Sequence, residues 1–102
     1  MSNFRTEEEV GSKTRQQLRP PSMYKVLLHN DDYTTMEFVV LVLESVFHKN
    51  SAEATQIMLE VHHRGFGVCG IYPFEIAETK VEDVHDLAKQ HEFPLKASMD
   101  EV

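Results

Sequence analysis

The hydrophobic period of this chain changes from about two to about 3.6 across one short acidic turn, Asn30-Asp31-Asp32. Before the turn, Met23-Tyr24-Lys25-Val26-Leu27-Leu28-His29 alternates and carries β-branched and aromatic residues, which reads as a strand. After it, Met36, Val39, Val40, Leu43, Val46 and Phe47 recur at helical spacing. A strand must therefore pass into a helix with almost no loop between them. The turn residues suit that task, because Asn and Asp side chains bond nearby backbone and end strands. Thr34 followed three residues later by Glu37 has the spacing of a capping box. The carboxylates before the helix also match the positive end of its dipole.

The pattern beyond this switch is equally directive. Lys49-Asn50-Ser51 ends the first helix, and Asn50 with Glu53 gives a second capping-box spacing. Ala54, Ile57, Met58 and Val61 form the next apolar stripe, with His62 at its margin. Gly65 is placed to end that helix in a left-handed conformation. Phe66 to Tyr72 reads as a second strand, and Pro73 suits the first turn of a third helix with the stripe Ala77, Val81, Val84, Leu87 and Ala88. Phe93 to Met99 reads as a last strand, with Pro94 placing it at an edge or delaying its opening. The expected order is β-α-α-β-α-β: an α+β single small domain, with a three-stranded antiparallel or mixed sheet packed against three helices.

Residues 1–21 do not share this patterning. Phe4, Val10 and Leu18 are their only sizeable apolar groups, set among Glu7-Glu8-Glu9, Lys13, Arg15 and Gln16-Gln17. Such a stretch cannot offset the entropy of ordering itself, so a flexible N-terminal extension is expected, stiffened at Pro20-Pro21, ahead of a core at 22–102. The start carries no basic stretch followed by an apolar run, as a signal peptide would. Phe38 to Leu43 is far too short to span a bilayer.

Charge and cysteine content exclude several functions. With ten basic against seventeen acidic residues and a net charge of -7, the chain lacks the basic face that nucleic acid or an anionic membrane requires. One cysteine, Cys69, permits no internal disulfide and fits a reducing, cytoplasmic setting. The histidines give no zinc pattern: His62 and His63 are adjacent, and His85 and His91 are not spaced four apart. No serine or cysteine stands in a nucleophile context, and Gly65, Gly67 and Gly70 fit no phosphate loop. The residues thus predict neither an enzyme nor a metal or cofactor site.

Two groups of residues suggest binding chemistry. Asn30 and the adjacent carboxylates are acceptors, as an ammonium ion with three donors requires, and such charge-assisted bonds are about twice as strong as neutral ones. Should His62 pack against the turn, a ring nitrogen adds a third acceptor. Beside them stand Met36, Val39, Met58, Val61 and Leu95. Val39 and Val61 read equally well as core, whereas Met36 in a first helical turn is expected to be half exposed and adaptable in shape. An apolar pocket next to a ring of acceptors would hold a free amino group beside a large hydrophobic side chain.

The run from Pro20 to Leu28, then Asn30-Asp31-Asp32-Tyr33-Thr34 with Met36-Glu37-Phe38-Val39, resembles the start of the ClpS core. Ala54 to Leu59 with Val61-His62, Gly67 to Tyr72, and Glu75 to Val81 continue the resemblance, which covers residues 20–99 in order. It implies an N-degron adaptor that delivers substrates to the ClpA unfoldase of the ClpAP protease. By the same resemblance, Asn30, Asp32 and His62 would hold the substrate α-amino group, and Asp31 would contact the peptide backbone. Thr34, Thr35, Met36, Val39, Met58, Val61 and Leu95 would line the pocket for a first residue such as Leu, Phe, Tyr or Trp, with Met36 gating out Ile and Val. Glu75 and Lys80 would dock a monomeric adaptor on the N-terminal domain of ClpA. Thr35 stands where the family usually has Pro, which implies a loop looser by less than about 1 kcal/mol and an altered ranking of first residues. Two other readings are a regulator that docks on the unfoldase without accepting N-degrons, and a hydrolase using Asp32 and His62.

Overall fold

A computed structural model describes residues 21–102 of the chain. Of the expected extension at 1–21, all but Pro21 lies outside the described residues. The elements are β1 (Met23–His29), α1 (Met36–Ser45), α2 (Ser51–Arg64), β2 (Phe66–Pro73), α3 (Phe74–Gln90) and β3 (Lys96–Glu101). The order β-α-α-β-α-β is the one that the sequence periods imply.

β1 is the central strand, antiparallel to both neighbours in the order β2-β1-β3. Its alternation sorts its side chains between two faces. Val26 and Leu28 join Cys69 of β2 and Ala97 of β3 in the core, against Val42, Leu43, Ala54, Val61, Ala77 and Val84 from the helices. Each of these Val and Leu side chains contributes roughly 1.5–3 kcal/mol by leaving water. Leu27, between them, is also buried but lies outside that cluster, its side chain being on the opposite face of the strand. The β1–β2 register shifts between Val26 and Leu27, a bulge that bends the edge strand.

Three local expectations are corrected. Thr34 does not cap α1, because its hydroxyl donates to the Asp31 carboxylate; Thr35 is the N-cap and accepts from the Phe38 amide at 3.2 Å. Glu37 is then one residue too early for a capping box. The stripe of α1 is rotated from the expected one: Phe38 and Val42 are buried with Val39 and Leu43, and the helix ends at Ser45, although Val46 and Phe47 just beyond it are buried in the core as expected. β3 starts at Lys96 rather than Phe93, since Phe93 donates to the Ala88 carbonyl in the turn that ends α3, and Pro94 has no amide to give.

The second capping box is present, with the Glu53 amide donating to Asn50 Oδ1 at 2.8 Å and the Asn50 amide to Glu53 Oε1 at 3.3 Å. Gly65 ends α2 at φ +90°, the left-handed region. Gly67 serves packing: a Cβ there would stand 2.9 Å from Val61 Cγ2, so its absence lets β2 approach α2 closely.

Candidate functional site

A cavity of about 530 Å³ opens where the acidic turn, the start of α1 and the end of α2 meet. That volume suits one large side chain with its attached polar group. Three sequence segments build it, and the bond that joins them is backbone. The Asn30 amide donates to the Gly65 carbonyl at 2.9 Å, tying the turn to the end of α2 that carries His62.

The acceptors lie on one side. Asn30, Asp31, Asp32 and His62 all line the cavity. Their states differ. Asp31 is committed to its own loop: Oδ1 accepts from the amides of Tyr33 at 2.8 Å and Thr34 at 2.7 Å, and Oδ2 accepts from the Thr34 hydroxyl at 2.6 Å. Burial raises the Asp31 pKa, but these three bonds outweigh it and hold the carboxyl below its ordinary range. Asp31 is thus first the staple of the turn. Asp32 is exposed and free to face a ligand. His62 is also exposed rather than part of the buried stripe, with its ring edge-on to His63 at 5.2 Å.

The apolar lining comes from α1 and α2. Val39 and Val61 are buried and form the floor, so both the core and the pocket readings of these residues apply. Met58 is half-buried, and Met36 in the first turn of α1 is 43% exposed, as its position implied. Thr34 and Thr35 complete this wall. Leu95 is not among the lining residues; it is buried in the core and borders a separate depression at the end of α3. Tyr33 and Glu37 also line the cavity, although neither is among the site residues that the sequence implies. Tyr33 is 78% exposed, and an aromatic within the six-residue acidic loop 30–35 was the signal available.

Glu75 and Lys80 lie on α3, away from this cavity. Glu75 is exposed beside Phe74. Lys80 is half-buried: its ammonium donates to the Val46 carbonyl at 2.7 Å and stands 5.8 Å from the Tyr72 ring centroid. Among the described residues no three His, Cys, Asp or Glu side chains come together in a metal-holding group. Burial pushes the Cys69 thiol up to about 12, against a smaller opposing effect of Lys49, so it carries no thiolate near neutral pH. No helix among the described residues is long and apolar enough to cross a membrane.

Fold and cavity together define a small α+β domain with an acceptor-rimmed, apolar-floored pocket between a strand–helix turn and a helix end. The chain belongs to the ClpS family: residues 19–98 match the family model described as ATP-dependent Clp protease adaptor protein ClpS. It is 52% identical over 102 residues to the ATP-dependent Clp protease adapter protein ClpS of Syntrophus aciditrophicus, covering 100% of this chain and 94% of that protein. The corresponding protein of Desulfatibacillum aliphaticivorans is 59% identical over 92 residues, covering 90% of this chain and 88% of that one. Among solved structures, Agrobacterium tumefaciens ClpS2 bound to L-phenylalaninamide aligns with a TM-score of 0.78 and 39% identity, over 80% of this chain and 99% of that chain. The chain is therefore an adaptor of the Clp protease, with proteolysis itself performed by its partner.

Proposed function

We propose that this adaptor captures proteins through a free α-amino group and a large hydrophobic first side chain, Leu, Phe, Tyr or Trp, and delivers them to the ClpA unfoldase of a cytoplasmic ClpAP protease. The observation that carries this reading is the placement of Asn30, Asp32 and His62 around one cavity whose other wall is Met36, Met58, Val39 and Val61. Three acceptors match the three donors of an ammonium, and the sulfur and aliphatic wall accommodates an aromatic or branched side chain. The ligand of the Agrobacterium relative, L-phenylalaninamide, has both parts. Glu75 and Lys80 on α3 would dock a monomeric adaptor on the N-terminal domain of the unfoldase.

Titrating labelled peptides that begin with Phe or Leu, with and without an acetylated amino group, tests the reading. Acetylation removes two donors and the charge, so binding should fall at least tenfold. Equal binding of the two forms would refute the amino-group site. Binding of the unfoldase domain with no peptide binding at all would leave a docking regulator in its place.

A further inference from the structure

The acidic turn has a second side. A groove of about 490 Å³ shares Asn30, Asp31, Asp32 and Tyr33 with the first cavity and is completed by His29, Pro94 and Lys96. Resting on the proposed binding of an N-terminal residue, we infer that this groove is a subsite for the third and fourth residues of the same peptide, and that Lys96 there favours an acidic side chain.

Continuity with the first cavity fixes the occupant. A peptide whose amino group sits at Asn30 and Asp32 has to leave across the turn, and the same residues are the wall of the next groove. Lys96 is the ladder partner of His29, the residue before Asn30. Antiparallel partners stand about 4.5–5.5 Å apart and one strand step adds about 3.4 Å, so the Lys96 backbone lies within about 9 Å of Asn30. An extended peptide covers about 7–10 Å in two or three residues, which brings its third and fourth side chains within reach of the Lys96 ammonium. The groove is also held in shape: His29 Nε2 is bonded to Ser98 Oγ at 2.6 Å, joining the two strands that form its base. Its charges are opposed, with the Asp31 and Asp32 carboxylates at the turn and the exposed Lys96 at the far end. A passing chain is therefore read for charge by position.

Two peptides test this, both beginning Phe-Ala, one with Glu and one with Lys at the third and fourth positions. An exposed charge pair is worth up to about a five-fold difference, so the Glu peptide should bind about two- to five-fold tighter at low salt. The preference should vanish in Lys96→Ala and reverse in Lys96→Glu, with thermal melts confirming the fold. Lys89→Glu makes the same charge change on α3 outside the groove and should leave the preference intact. No preference in the parent, one that persists in Lys96→Glu, or one lost equally in Lys89→Glu overturns the subsite while leaving the first site standing. If neither peptide binds the parent in any form, the amino-group reading fails and the subsite with it.

Discussion

The Asn30 amide and the Gly65 carbonyl, 2.9 Å apart, are the joint that holds the acidic turn against the end of α2. It sets the spacing of three acceptors, since Asn30 and Asp32 come from one side of the joint and His62 from the other. Gly65 is at φ +90°, and no atom lies within 4 Å of where its Cβ would stand. Gly65→Ala therefore meets only backbone strain and should lower stability by about 1–2 kcal/mol, measured by chemical denaturation. An unchanged midpoint would mean that the left-handed conformation is not required.

Asp32 and His62 should contribute unequally to ligand binding. Asp32→Ala removes a carboxylate with two acceptor oxygens and should weaken a Phe-peptide about tenfold or more, whereas His62→Ala removes a single ring nitrogen and should cost about two- to tenfold. Both are read by fluorescence anisotropy. Parent-like affinity in the two variants would move the amino-group site elsewhere.

Asp31 predicts an acid limit. Its carboxyl is held below the ordinary range by the Thr34 and Tyr33 bonds in spite of burial. A depressed folded pKa adds stability that is present above the unfolded value, about 3.9, and is lost as pH falls through the folded value. Asp31→Asn keeps an oxygen for the two amides but loses the charge. The parent should be the more stable of the two near neutrality, and the gap should close below about pH 4. A gap that is independent of pH would show that the charge plays no part.

Thr35 has exchanged one kind of loop stiffening for another. Its φ of −74° is one that proline adopts, and its hydroxyl oxygen caps the Phe38 amide. Thr35→Ala should cost about 1 kcal/mol. Thr35→Pro loses the same cap but gains about 0.4–1 kcal/mol from a stiffer unfolded chain, so it should melt within about 1 kcal/mol of the parent. A large loss in the proline variant would mean that Thr34 cannot take the extended conformation that proline demands of its neighbour.

Lys80 bridges α3 to the end of α1, where the Val46 carbonyl would otherwise lack a donor. Lys80→Met should lower stability by about 1–2 kcal/mol. Glu75 is exposed, and Glu75→Ala should weaken unfoldase docking without shifting the melt. A Lys80→Met melt equal to the parent would free that residue for docking alone.

Much of this molecule is written in local pattern. Alternation over Met23–His29, the Asn50–Glu53 box and the glycine at 65 each act within a few residues, and each produced the element it implied. Even the half-exposure of Met36 followed from its place in a first turn. The misplaced helix cap sits where two local signals compete. Thr34 and Thr35 can both cap a helix, and only the Asp31 carboxylate, by taking the Thr34 hydroxyl, decides between them.

What the sequence by itself determined is the switch at Asn30-Asp31-Asp32: strand before, helix after, acceptors between. Turn chemistry and hydrophobic period are short-range properties, so they need no partner. Tertiary structure alone decided that Asn30 would meet Gly65, that His62 would face the turn rather than the core, and that Leu95 would pack away from the cavity. Those outcomes depend on how closely β2 can approach α2 past Gly67 and on which face of each helix the shared core claims, and both are settled only when the whole core packs.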